Sequence, residues 1–402
     1  MNKDIDDIVS SESRAKGFNT IATHSGEFKD ARFGNVTTPI FQTSTFVFPN
    51  YDENAYLDHT RNEPYIYSRW GNPTLEALEK KYSSLEGTEF GLSFSSGMAA
   101  IVAALTTLAG KGGRILSIKE LYGQTSSLMS GLFSKWGIEV DFMPTAHLNQ
   151  AEGIGKNYDL VYTESVSNPT LQVSDIRHIS DIASEKGIPV VVDATFASPY
   201  NQKPLDLGAS VSVHSGTKYI AGHSDVIIGV LATGEELFNR IQATRKALGG
   251  TPDPLQAFLA SRGLKTLGLR MEKHNRNGME VARFLDQHNK VKKVFYPGLE
   301  SFETHNVAKK VLKGYGGMIS FEVPGGTDAA RKFMKNLTIA APAPSLGGVE
   351  SLVTLPVDTS HSTIPKEIRK EMGIGDGLIR FSLGIEDHED IIEDIQSALG
   401  QL

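Results

Sequence analysis

Between residues 91 and 231 the chain alternates short apolar runs, many of them rich in β-branched residues, with stretches of helical period, and this rhythm is what most limits the folds open to it. Residues 91–94, 114–118, 160–163, 188–193, 210–214 and 226–231 read as strands, and 97–108 and 176–186 as helices. Parallel neighbours in a sheet need a crossover, which a helix supplies. The spacing therefore predicts an α/β fold with a mostly parallel central sheet covered by helices on both faces. A further helix is expected over 74–85, where Leu75, Leu78 and Tyr82 recur behind Asn72-Pro73. After Pro252-Asp253-Pro254 the pattern changes to a long helical stretch over 255–288, then strands near 318–322 and 378–383 and helices around 327–336 and 387–400. The expected division is an arm over 1–60 that packs on a neighbouring subunit, a large domain over 61–255 and a smaller C-terminal α+β domain over 256–402.

A chain of 402 residues exceeds the size at which single cores usually divide. Its 40 basic and 47 acidic residues leave a net charge of −7, which supplies no footprint for nucleic acid or an anionic membrane, so a small-molecule partner is expected. No apolar run approaches the roughly 20 residues of a membrane span, and Met1 to Ser13 lack the apolar centre of a signal peptide. A cytoplasmic location is the expectation. The absence of cysteine removes disulfides, thiolate nucleophiles and Cys-ligated metals, and no His-Glu-x-x-His occurs, so no metal site is expected.

In open α/β sheets ligands bind at the carboxyl ends of strands. Two such ends carry chemistry: Asp193-Ala194-Thr195 and His214-Ser215-Gly216-Thr217-Lys218. A carboxylate and an amine at neighbouring strand ends suit pyridoxal 5'-phosphate, whose ring nitrogen wants an anionic partner and whose aldehyde bonds to a lysine. Lys218 would hold the cofactor and then move protons, and Asp193 would keep the ring protonated. A phosphate cradle is offered by Ser95-Ser96-Gly97-Met98-Ala99-Ala100, a small-residue turn opening an Ala-rich helix whose free amides favour an anion. Ser215 and Thr217 could complete it, and Tyr122, beside Gly123, is placed to stack on the ring.

Each feature has a plainer reading. An aspartate at a strand end often forms a turn or caps a helix, and a lone lysine is usually a solvated surface group. Their conjunction carries the argument. Ser215-Gly216-Thr217-Lys218 also fits the Ser-x-x-Lys pattern of penicillin-binding enzymes, but neither Ser-Asp-Asn nor Lys-Thr-Gly occurs.

Taken together, Tyr67-Ser68-Arg69-Trp70-Gly71-Asn72-Pro73-Thr74, Ser96 to Ala100, Leu121-Tyr122-Gly123, Glu164 to Thr170, Val192 to Thr195, His214 to Tyr219, Ser345 to Leu352 and Ile379 to Asp387 resemble the Cys/Met-metabolism pyridoxal-phosphate enzymes. That family includes cystathionine γ-synthase, cystathionine γ-lyase, methionine γ-lyase and the O-acylhomoserine sulfhydrylases, and the likeness runs through residues 20–400. It implies a fold of aspartate-aminotransferase type (fold type I) and a homotetramer, a dimer of dimers with shared active sites. By the same likeness Tyr67 and Arg69 reach the phosphate held by the neighbouring subunit, while Gly97, Met98, Ser215 and Thr217 bind it from their own chain. Tyr122 would stack on the ring and protonate the leaving group, Asn168 would sit near the ring hydroxyl, and Ser345 and Arg380 would hold the substrate carboxylate.

The implied activity is transsulfuration chemistry at Cγ of a thioether or homoserine-derived amino acid by γ-elimination. The alternatives are γ-replacement and, from another class, a non-catalytic cofactor-binding regulator. Pro344 and Ile66 stand where relatives that handle cystathionine often carry acidic residues, and Gln124 where methionine γ-lyases commonly carry cysteine.

Overall fold

The computed structural model of the protein describes residues 16–47, 65–155, 157–362 and 366–402. Of the expected arm, residues 1–15 and 48–60 therefore lie outside the described residues. The rest of the arm holds one helix, Phe18–His24, followed by irregular chain to Val47.

Seven strands build the first sheet: β1 (Phe90–Phe94), β2 (Arg114–Ile118), β3 (Glu139–Met143), β4 (Leu160–Glu164), β5 (Val190–Asp193), β6 (Val211–Ser215) and β7 (Gly229–Thr233), in spatial order β1-β7-β6-β5-β4-β2-β3. β3, β2, β4, β5 and β6 are mutually parallel, whereas β7 runs antiparallel to both β6 and β1. Two strands begin later than their apolar runs suggest. Pro189 lacks an amide donor, so β5 starts at Val190. β7 starts at Gly229 because the Ile228 backbone is taken by Thr217, whose amide donates to the Ile228 carbonyl and whose hydroxyl accepts from the Ile228 amide.

Both faces of this sheet are buried, as β7 shows by alternation: Val230 and Ala232 join one apolar cluster with the Pro73–Glu86 helix, and Leu231 joins another with the Gly97–Ala109 helix. These two helices are locally well specified. The Asn72 side chain accepts from the Thr74 amide, Pro73 occupies the first turn, and Gly87 closes the helix at φ 86°. Ser96 caps the other by accepting from the Ala99 amide at 3.1 Å, an interaction worth about 1 kcal/mol in such positions.

The expected stretch over 255–288 divides into helices Pro254–Leu264 and Leu267–Asp286. The first leans on the Pro73–Glu86 helix, and the second packs against the C-terminal helix His388–Gly400 and the second sheet, so the chain passes between layers at Lys265-Thr266. That second sheet has the order β10-β11-β12-β9-β8, from β8 (Lys293–Phe295), β9 (Met318–Glu322), β10 (Ala341–Pro342), β11 (Leu352–Thr354) and β12 (Leu378–Ser382). Among the described residues no helix is long and apolar enough to cross a membrane.

The arm is tied down by charge. Glu27 lies between Lys265 (2.7 Å) and the fully buried Lys81 (3.2 Å), and its other oxygen accepts from the amide and hydroxyl of Thr38, both at 2.9 Å. Burial works to raise the Glu27 carboxyl, but Lys265, Thr38 and Lys81 together hold it down at about 2.

Candidate active site

The parallel strands β5 and β6 end side by side, and each end carries a polar residue that the sheet itself positions. Asp193 closes β5. Its Oδ1 accepts from the Thr195 amide at 2.9 Å and from the Thr195 hydroxyl at 2.5 Å. Burial raises its carboxyl, opposed by those two bonds and by nearby His214. Ser215 closes β6, and its amide donates to the Thr195 hydroxyl at 2.8 Å. Against Ser215 packs Gly97, the first residue of the Ala-rich helix: a Cβ there would fall 2.8 Å from Ser215 Cβ and 2.9 Å from its Cα. Only glycine allows the helix start, with its free amides, to come this close to β6.

Lys218 follows one turn later, its amide donating to the Ser215 carbonyl at 3.1 Å. Its Nζ donates to Ser345 Oγ at 2.8 Å. Burial, and then the charge of Arg380, lower the amine to about 8, so it can give up its proton near neutrality. Arg380 reaches the same place from β12: one nitrogen donates to the Ser345 carbonyl at 3.2 Å and another to Asn168 Oδ1 at 3.1 Å. Burial holds this guanidinium down at about 10, and among the described residues its Nε has no hydrogen-bond partner. Ser345 sits at φ 133°, a backbone region that a residue with a side chain rarely adopts and that clusters at functional sites. One contact chain thus joins Lys218, Ser345, Arg380 and Asn168 across the two sheets.

Tyr122 precedes the short helix Gly123–Ser127, its ring partly exposed and its amide donating to Glu164 Oε1 at 2.7 Å. Met98 is linked to that helix by the Thr125 hydroxyl, 3.8 Å from its sulfur. The Thr217 hydroxyl donates to the Ile228 carbonyl at 3.2 Å, a bond it would have to exchange in order to donate to a phosphate. Tyr67 and Arg69 stand apart from this chain of contacts. The Arg69 guanidinium lies 5.6 Å from the Tyr67 ring centroid and donates to the Lys246 carbonyl, and Tyr67 is 40% exposed.

Three further residues, none of them assigned a role from the sequence, shape the site. Thr195 joins the two strand ends. Glu164, whose Cα pairs with that of Asp193, is a buried acid raised well above the ordinary range by burial and then by the Asp193 charge, while the amides of Tyr122 and Asn168 oppose the rise. Arg270 braces the turn after Lys218, donating to the carbonyls of Tyr219 (2.6 Å), Ile220 (3.3 Å) and Gly263 (2.7 Å). A signal existed for Thr195, a hydroxyl two residues after an aspartate. Glu164 and Arg270 reach the backbone of Tyr122, Tyr219 and Ile220 from far away in the chain, and those contacts leave no local pattern.

A half-buried amine that deprotonates easily, a half-buried acid at the adjacent strand end and a glycine-lined helix start between them fit pyridoxal phosphate. The sequence profile of the family described as "Cys/Met metabolism PLP-dependent enzyme" matches residues 19–400. The L-methionine gamma-lyase of Fusobacterium nucleatum subsp. nucleatum is 41% identical over 395 residues, covering 97% of this chain and 100% of its own. A cystathionine beta-lyase of Lactococcus lactis subsp. cremoris is 43% identical over 382 residues, covering 94% and 98%. The crystal structure of metB from Corynebacterium glutamicum superposes with a TM-score of 0.90 at 38% identity, over 96% of this chain and 98% of that one. The chain therefore belongs to the Cys/Met metabolism family of pyridoxal-phosphate-dependent enzymes.

Proposed function

We propose that the chain catalyses γ-elimination from a thioether or homoserine-derived amino acid, in the manner of a methionine or cystathionine γ-lyase. The observation that carries this reading is the sharing of Ser345 between the Lys218 amine and the Arg380 guanidinium, which sets a proton acceptor beside a carboxylate clamp. Lys218, Asp193, Gly97, Met98, Ser215, Thr217 and Asn168 would hold pyridoxal phosphate, with Tyr122 against the ring. When bound, that group supplies the electron sink that acidifies the substrate Cα–H. Arg380 and Ser345 hold the substrate carboxylate, which suits the planar fork of a guanidinium. Lys218 Nζ, at about 8, takes the Cα proton, and a Cβ proton is then lost so that its electron pair forms the Cβ–Cγ double bond as the γ-substituent leaves. The Tyr122 hydroxyl delivers a proton to the departing γ-sulfur or γ-oxygen, and the position of its backbone is fixed by Glu164.

The same reading makes the enzyme a cytoplasmic homotetramer in which Tyr67 and Arg69 complete a neighbour's phosphate site. The exposure of the Tyr67 ring in the single chain supports that arrangement. γ-Replacement is the second reading, since the same groups serve it when a thiol enters.

The test offers methionine, cystathionine and O-acetyl- or O-succinylhomoserine, each with and without sulfide or cysteine. Release of 2-oxobutanoate from a thioether alone is expected. Turnover only with an added thiol would make the enzyme a transferase, and pyruvate from cystathionine would place the cut at Cβ.

A further inference from the structure

The groups proposed to hold the two ends of the cofactor are not independent. Asp193, for the ring nitrogen, ends β5, and Ser215, for the phosphate, ends β6. A single hydroxyl, that of Thr195, lies between them, 2.5 Å from Asp193 Oδ1 and 2.8 Å from the Ser215 amide nitrogen. Donor and acceptor roles are determined here. The Ser215 N–H can only donate, so the hydroxyl accepts from it and sends its own proton to Asp193. Oδ1 also receives the Thr195 amide at 2.9 Å, so two donors converge on that one oxygen and Oδ2 stands outside both bonds. On the far side of Ser215 its carbonyl accepts the Lys218 amide at 3.1 Å, and its side chain meets Gly97. The ring acid, the phosphate cradle and the Schiff-base lysine are thus registered to one another through this threonine.

We infer that Thr195 is a positioning residue for the cofactor: its hydroxyl holds Asp193 as an anion with Oδ2 turned to the ring nitrogen, and fixes the distance from that oxygen to the phosphate cradle. The inference rests on the assignment of Asp193 and Lys218 to pyridoxal phosphate. Converging donors favour the carboxylate over the acid, and a hydrogen bond to a charged group is stronger than one between neutral groups. The other titratable groups facing Asp193 are Glu164 and Tyr162 from β4, His214 from β6 and Tyr82 from the Pro73–Glu86 helix. Of these, His214 favours the Asp193 anion, so Thr195 and His214 both oppose the burial that raises its carboxyl.

The experiment measures pyridoxal-phosphate dissociation constants by equilibrium dialysis from pH 5 to 8, with borohydride reduction and peptide mapping to identify the attachment site. Thr195→Val, equal in shape but without the hydroxyl, is expected to weaken binding by about tenfold or more at pH 7. It is also expected to move the acid limb of the binding curve to higher pH. Thr195→Ser, which keeps the hydroxyl, restores most of the affinity. In an Asp193→Asn background Thr195→Val changes affinity by less than about twofold, because the group it acts on has lost its charge. Equal affinity and an unmoved acid limb in Thr195→Val would overturn the inference, as would the same loss with or without Asp193. Should Thr195→Val not fold, Thr195→Ala enters the same comparison. Failure of the native protein to yield a reduced adduct at Lys218 would instead overturn the underlying assignment, so the two failures are distinguishable.

Discussion

Replacing Glu27 by glutamine tests whether charge docks the arm on the body of the enzyme. In the native protein this carboxyl is held at about 2 against an ordinary 4.5, a preference for the anion that amounts to about 3 kcal/mol. Glutamine keeps an acceptor for the Thr38 amide and hydroxyl but leaves Lys81, whose side chain is fully buried, with the carbonyls of Thr23 and Ser25 as its partners among the described residues. Lys265 is partly exposed and can turn to water, so the loss falls mainly on the Lys81 contact. Urea unfolding of the cofactor-loaded protein at pH 7 should show Glu27→Gln destabilised by about 2–4 kcal/mol. The double variant Glu27→Gln/Lys81→Met should be destabilised by clearly less than the sum of the singles. The sign with pH follows from the depressed carboxyl: its contribution is complete above about 4.5 and is lost as pH falls toward 2, so the gap between native and variant stays constant from pH 5 to 8 and narrows below. A variant within about 0.5 kcal/mol of the native protein would refute the reasoning. The consequence reaches the site, because Thr45, farther along the arm, pairs with Tyr67, and a loosened arm should loosen the residue proposed to reach the neighbour's phosphate.

Lys218 in the cofactor-free protein should be acetylated with a midpoint near pH 8, and Arg380→Gln should move that midpoint up because it removes the repelling charge; a midpoint near the ordinary 10.5 would contradict the lowering of the amine by desolvation and Arg380. Gly97→Ala places a methyl group against Ser215 backbone and side chain, so pyridoxal-phosphate affinity measured by dialysis should fall about tenfold or more, and an unchanged affinity would show that the helix start can retreat. His274 is buried with Nδ1 2.9 Å from the Leu383 carbonyl, and burial lowers it to about 4. The unfolded chain therefore binds a proton between about 6.5 and 4 that the folded one refuses, and stability is complete above 6.5 and lost as pH falls toward 4. His361, lowered to about 4 mainly by burial, loses stability over the same range, so between pH 7 and 5 urea unfolding should show His274→Gln removing about 2 kcal/mol of the decline and leaving the part due to His361.

How far the molecule can be read from its residues depends on whether a contact is local or distant. The β-branched runs ending at Asp193 and His214 announce buried parallel strands, and the ligand-binding edge of such a sheet points directly to Asp193, Ser215 and Lys218. Glu139–Met143 escapes the same reading because it is an edge strand, partly exposed along its length, and lacks a continuous apolar run. Ser345 and Arg380 cannot be reached by periodicity at all. Ser345 lies 127 residues beyond Lys218 and Arg380 another 35 beyond Ser345, and only family likeness brings them to the amine that the fold places 2.8 Å from Ser345. Harder still are Glu164 and Arg270, whose work at the site is to grip backbone amides and carbonyls, so that no pairing of residue types records it. What such residues govern is geometry. Glu164 ties the amide of the proposed proton donor to β4, and Arg270 ties the turn after the proposed base to the Leu267–Asp286 helix. A change at either should therefore alter the placement of acid and base while leaving every group that touches the substrate chemically intact, which is why the catalytic list and the list of residues that make catalysis possible are different lists.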